Sequence, residues 1–118
     1  MVQYYQERID RAFGALADPT RRAVLERLAL SGATISELAA PFGMSLTGMK
    51  KHVGILEEAG LLRSEKVGRE RRCRLDPEGP TDAAHWMEMH RATLEARLDR
   101  FGQMLEREGQ AKGQVDDE

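Results

Sequence analysis

This chain has almost none of the residues that staple or thicken a small domain. Among 118 residues there is one cysteine, Cys73, and aromatics make up only 5%. A single thiol excludes an intramolecular disulfide and any cysteine-based metal cage within one subunit. With so few aromatic rings, the core has to be aliphatic, with methionine as filler. The four prolines, Pro19, Pro41, Pro77 and Pro80, stop before the last third of the chain, so nothing there breaks a long helix. No apolar run reaches membrane-span length and no signal-peptide pattern opens the chain, so the expectation is a cytoplasmic protein with no membrane partner. No nucleophile–base pair or phosphate-cradling glycine loop is present, which argues against an enzyme.

Net charge is also nearly absent, at −2, but its distribution is uneven. Between Ser45 and Arg74 stand eight basic residues, Lys50, Lys51, Arg63, Lys66, Arg69, Arg71, Arg72 and Arg74. The same window holds four acids, Glu57, Glu58, Glu65 and Glu70, so it carries 8 − 4 = +4. The C-terminal Asp116-Asp117-Glu118 is acidic. A local basic patch is thus masked by an acidic remainder, and such a patch suits nucleic acid.

Periodicity and punctuation divide the chain into seven elements. Val2, Tyr5, Ile9, Ala12, Phe13 and Leu16 fall at helical spacing. Asp18-Pro19 reads as a cap and first-turn proline opening a second helix, with Val24, Leu25 and Leu28 inward. Thr34 with Glu37 fits a capping box for a third helix, near Ser36 to Ala40, although Ser36 could be the cap. After Pro41-Phe42-Gly43, Ser45 caps a fourth helix. Its period turns Met49, Val53 and Leu56 inward and Thr47, Lys51, Gly54 and Glu58 outward, with Lys50 on the flank and His52 at the boundary. Leu62 to Lys66 and Arg72 to Asp76 read as a hairpin turning through 67–71. A last helix is expected from Thr81 to Glu108, with the polar tail 109–118 disordered. The expected class is mainly α with a small β-hairpin, in the order α-α-α-α-β-β-α, and residues 1–108 form one domain.

The fourth helix and the hairpin carry the candidate site. A short helix with an open polar face, preceded by a tight turn and followed by an arginine-rich hairpin, fits a DNA groove. Lys50 and Lys51 can reach phosphates or guanine edges, and Thr47 can bond a base or touch a thymine methyl. Gly48 allows close backbone approach, and Ser45 can both cap the helix and hold a phosphate. Arg69, Arg71 and Arg72 suit a minor groove. His52 is expected to contact phosphate. Trp86, His90, Leu94, Leu98, Phe101 and Leu105 stripe a last helix too long for so small a domain, which implies a second copy of the chain.

The residues Ala15-Leu-Ala-Asp-Pro-Thr-Arg-Arg22, Ser36-Glu-Leu-Ala39, Lys51-His52, Leu56-Glu-Glu-Ala-Gly-Leu61 and Gly68-Arg69 resemble the ArsR family of bacterial repressors. The resemblance covers roughly residues 6–101. It implies a winged helix-turn-helix homodimer that binds an inverted-repeat operator and blocks transcription. It also implies a dimer interface on the first and last helices, here Tyr5, Ile9, Phe13, Trp86, His90, Leu94, Leu98 and Phe101. The family's metal sensors carry Cys-x-Cys in the third helix, where this chain has Glu37-Leu38-Ala39-Ala40. Nor do Asp82, His85 and His90 reproduce the zinc spacing of other members. The chain more closely resembles the metal-independent branch, so no cofactor or metal is expected and the effector is open. The competing expectations are a metal-responsive sensor using His, Asp and Glu ligands of the last helix, and a winged-helix module that binds protein.

Overall fold

The computed structural model describes the backbone of residues 2–116. It contains α1 (Val2–Leu16), α2 (Pro19–Leu28), β1 (Ala33–Thr34), α3 (Ile35–Ala39), a short 3-10 turn (Ala40–Phe42), α4 (Leu46–Glu58), β2 (Leu62–Val67), β3 (Glu70–Leu75) and α5 (Thr81–Asp116). The side chain of Val2, expected in the first stripe, lies outside the described residues, as do Asp117 and Glu118. The chain divides into two compact units, one ending at His85 and one beginning at Trp86.

The first unit is built around one aliphatic core. Val24 and Leu28 of α2, Leu38 of α3, Met49, Val53 and Leu56 of α4, Leu62 of β2 and Cys73 of β3 are all buried in it. Of the positions expected inward, Val24, Leu28, Met49, Val53 and Leu56 are buried, and Leu25 is half-buried against the core. Burying such side chains is the main favourable term, worth about 1.5–3 kcal/mol each. The first and last helices also meet within this unit, through an ion pair between Arg8 and Asp82.

Local signals start and stop the helices. Asp18 accepts from the Arg21 amide at 3.0 Å at the head of α2. That bond, reinforced by the Arg21 charge, holds its carboxyl below the ordinary carboxylate range, against a smaller upward push from desolvation. Thr34, not Ser36, caps α3: its hydroxyl accepts from the Glu37 amide at 3.2 Å and bonds the Glu37 carboxylate at 3.3 Å. Ser45 caps α4 by accepting from the Gly48 amide at 3.1 Å. At the other end of α4, the amides of Gly60 and Leu61 fold back to the carbonyls of Glu57 and Leu56. These bonds satisfy orphan carbonyls of the last turn.

Two features differ from the expected order. The hairpin is part of a three-stranded antiparallel sheet, β1-β3-β2, because the short β1 pairs Ala33 with Cys73 and Thr34 with Arg72. Two residues carry no alternating pattern, so β1 exists only by virtue of its partner strand. The strands also run further toward the tip than expected, with Val67 pairing Glu70 and only Gly68-Arg69 left as the turn. Gly68 has φ of 65°, while no non-glycine residue has positive φ. A glycine alone at the first central position matches a type II′ turn, whose twist suits a hairpin.

The second unit is the body of α5. The helix is 36 residues long, about 54 Å. It runs past the expected end at Glu108 to Asp116, so the backbone at 109–116 is helical where a disordered tail was expected. No proline interrupts this stretch, and its Gln, Ala and Lys residues are good helix formers. Within this unit Trp86 and His90 stack, with ring centroids 4.4 Å apart and planes 20° from parallel. The His90 Nδ1 lies 2.9 Å from the Trp86 carbonyl. Among the described residues, no helix is long and apolar enough to cross a membrane.

Candidate nucleic-acid interface

The open face of α4 is what its period predicts. Ser45, Thr47, Lys50 and Lys51 are exposed, Gly48 is half-buried, and Met49, Val53 and Leu56 face the core. Gly48 has a local reason to be glycine. A Cβ there would stand 3.2 Å from Cγ of Met44 and 3.3 Å from Oγ of Ser45. The capping hydroxyl and the Met44 side chain therefore already occupy the space a side chain would need.

The sheet presents a second basic surface beside this helix. Strand side chains alternate between faces. On β2, Leu62, Ser64 and Lys66 share one face; their partners on β3 are Leu75, Cys73 and Arg71. Leu62 and Cys73 point into the core, and the same face carries Lys66 and Arg71 near the hairpin tip. Like charges directly opposite each other oppose pairing, so Lys66 across from Arg71 is a costly arrangement for the sheet alone. Burial pushes the Cys73 thiol above its ordinary value, and the Glu57 carboxylate adds to the effect. Cys73 is thus inert core packing.

A cleft of about 270 Å³ is lined by α4, the hairpin and Thr34, Ile35 and Ser36 at the start of α3. Lys50 and Leu46 line one side, and Lys66, Arg69, Glu70 and Arg71 the other. Four cations against one anion leave the cleft at 4 − 1 = +3. None of Lys50, Lys51, Lys66, Arg69 and Arg71 takes part in an ion pair among the described residues. Unpaired cations converging on one opening form a surface that attracts a polyanion.

Two locks hold this geometry. Glu57, on the last turn of α4, accepts from the Ser64 amide at 3.0 Å and from the Ser64 hydroxyl at 3.0 and 2.9 Å. It ties the helix to the wing. Arg21 of α2 forms the other lock. Its Nε donates to the Ala15 carbonyl at 2.8 Å and its Nη2 to the Gly14 carbonyl at 3.2 Å. Its Nη1 lies 3.3 Å from Nδ1 of His52. A guanidinium can only donate, so in this contact the Nδ1 of a neutral imidazole is the acceptor and its Nε2 carries the ring hydrogen.

The expected site residues do not all come together. Ser45, Thr47, Gly48, Lys50, Lys51, Arg69 and Arg71 lie on the helix face or around the cleft. Arg72 lies on the opposite face of the sheet from Arg71, across from Glu65. The alternation of the strand puts it there, and its neighbour is Gly32. His52 is half-buried and turned toward Arg21, with Asp18 4.0 Å away. Its Nδ1 belongs to the subunit interior, which leaves Nε2 as the nitrogen available to phosphate. Lys66, Leu46, Glu57 and Arg21 were absent from the expected set. Lys66 was visible as charge, but its face was hidden until the strand register was known.

The expected dimer-interface residues vary in exposure. Leu98 and Phe101 are 68% and 55% exposed, and Phe13 is 38% exposed. Tyr5, Trp86, His90 and Leu94 are half-buried. Ile9 is already buried in the single chain, so it has little surface left to offer a partner. Among the described residues, no group of three or more His, Cys, Asp or Glu within one chain is placed to hold a metal ion.

Comparison with known proteins identifies similar chains. A family described as a helix-turn-helix domain matches residues 16–65. The chain is 38% identical over 92 residues to the HTH-type transcriptional regulator Rv2034 of Mycobacterium tuberculosis, covering 78% of this chain and 76% of that protein. It is 28% identical over 79 residues to the transcriptional repressor SdpR of Bacillus subtilis, covering 67% of this chain and 88% of that one. Among solved structures, it is similar to the ArsR family transcriptional regulator RHA00566, with 44% identity and a TM-score of 0.68. That match covers 76% of this chain and 93% of the other.

Proposed function

We propose, from the fact that this chain belongs to the ArsR family of winged helix-turn-helix transcriptional regulators, that it is a homodimeric repressor of an inverted-repeat operator. The family consists of DNA-binding regulators rather than enzymes. The finer reading rests on the basic cleft between α4 and the hairpin, whose cations are unpaired and whose two walls are locked together. In this reading α4 enters the major groove, with Lys50 and Lys51 near its rim and Thr47 toward the base edges. Arg69 at the wing tip follows the backbone into the adjacent minor groove, and Arg71 with Lys66 faces the phosphates between them. Repression is supported by the likeness to SdpR, a repressor. A second copy is supported by the apolar residues exposed along α5, among them Leu98, Phe101 and Leu105.

Repression then follows from occupancy. Two recognition helices, about one helical turn of DNA apart, cover a site that transcription must use. The protein acts in the cytoplasm with the DNA it binds. Its release is metal-independent in this reading, since the third helix offers Glu37 and no thiolate at the position the family's metal sensors use.

Gel-shift titration over a salt series, against duplexes selected from a random pool, tests this. Affinity should fall linearly with salt on logarithmic axes. Lys51→Ala and Arg69→Ala should each weaken binding and reduce the salt slope by about one per subunit. Binding that is unchanged in both variants would reject the groove assignment. Equilibrium dialysis with zinc separates the metal-sensor alternative, which requires at least one ion per dimer.

A further inference from the structure

The charged residues of the cleft explain affinity for DNA of any sequence, but one of its lining residues cannot serve that purpose. Leu46 is the first residue of α4, directly after the Ser45 cap. It is 49% exposed and lines the cleft beside Lys50, opposite Lys66, Arg69 and Arg71. An isolated exposed leucine needs no explanation on an ordinary surface. This one stands on the first turn of the recognition helix, the part that reaches base edges when such a helix docks.

Resting on the DNA-binding reading above, we propose that Leu46 is a specificity-determining residue that packs on the C5-methyl group of a thymine in each half-site. Leucine can neither donate nor accept a hydrogen bond, so it reads no donor–acceptor pattern and holds no phosphate. Of the groups a base pair presents in the major groove, the thymine methyl is the one apolar feature. The surrounding cations bring the duplex in without regard to sequence. Leu46 then favours thymine by removing its own open surface and the methyl from water together. Thr47, the next residue, points from the same turn and is free to bond an adjacent base.

The test uses the full-length protein and a duplex selected from a random pool. Each thymine of the half-site is replaced in turn by deoxyuridine, which deletes only the methyl group. At one position the unaltered protein should bind the uracil form about fourfold more weakly, the worth of one buried methyl. Replacement in both half-sites should weaken binding on the order of fifteenfold, if the two contributions are independent. Leu46→Ala should bind both forms alike, and Leu46→Met, which keeps an apolar side chain, should keep the discrimination. Circular dichroism checks that the variants fold. Equal affinity of the unaltered protein for every thymine and uracil form overturns the proposal, as does a selected half-site without thymine, and neither result touches the DNA reading. Discrimination that survives Leu46→Ala assigns the methyl contact elsewhere. A protein that binds no duplex with salt-dependent affinity overturns both readings, and an exposed Leu46 would then serve a protein partner.

Discussion

Arg21 shows how one side chain can connect distant parts of this chain. Its guanidinium bonds two carbonyls at the end of α1 and reaches His52 on the recognition helix. It acts as a positioning residue, since it touches no DNA in the proposed docking. Removing it takes away the side-chain partner of the Ala15 carbonyl and of the imidazole nitrogen, while the Gly14 carbonyl keeps its bond from the Ala17 amide. Arg21→Ala should therefore lower stability by about 1–3 kcal/mol in a urea titration. It should also weaken operator binding, with the helical content of the folded protein unchanged. Arg21→Lys should restore little, because an ammonium cannot reproduce a three-way planar fork. An Arg21→Ala protein with unaltered stability and affinity would remove Arg21 from this role. From sequence, Arg21 was an ordinary basic residue on an outer face of α2. Its partners lie six, seven and 31 positions away, and no local pattern encodes that meeting. His52 shows the same limit, since its boundary position on the helix was legible but the side on which it is held was not.

At the scale of elements, the recognition helix was the most legible part. Its cap, period and terminal glycine are all local signals, and Met49, Val53 and Leu56 are buried as the period requires. The wing was less legible. Its two strands carried β pattern and charge, but the face each arginine occupies depends on register, and register separates Arg71 from Arg72. The lock between the two elements, Glu57 to Ser64, joins residues seven apart across a chain reversal. Glu57→Ala should free the wing from the helix. Hydrogen exchange followed by NMR should show the Ser64 amide exchanging faster, and operator affinity should fall as the cleft loses its fixed width. Protection of Ser64 equal to that of the unaltered protein would show that strand pairing alone holds the wing.

At the scale of the whole molecule, the question is what covers α5. The 36-residue helix leaves Leu98, Phe101, Met104 and Leu105 each more than half exposed along one stripe. In the proposed dimer a second copy would offer the same surface in return, which is how a two-fold interface closes on itself. Leu98→Asp together with Phe101→Asp should shift the protein from dimer to monomer in sedimentation at micromolar concentration. The pair should also depress operator affinity far more than it lowers the melting temperature of the monomer, because two half-sites are no longer linked. An unaltered protein that sediments as a monomer would remove the dimer. The apolar stripe was readable in sequence, although its extent was not. The helix outruns the expected end at Glu108 because no residue there is a strong enough breaker.

Sequence by itself determined where this protein's helices begin, which sides of them face inward, that the chain's basicity is concentrated in one window, and the family to which the pattern belongs. These are properties of residues within a turn or two of each other, where capping and periodicity act. Tertiary structure alone decided that β1 exists, that Lys66 lines the cleft while Arg72 lies on the other face of the sheet, that Ile9 is already buried, and that Arg21 and Glu57 tie α4 to its neighbours. Each of those depends on strand register or on a side chain meeting a partner from another element. Such meetings are set by the packing of the whole core, which no local stretch of the chain contains.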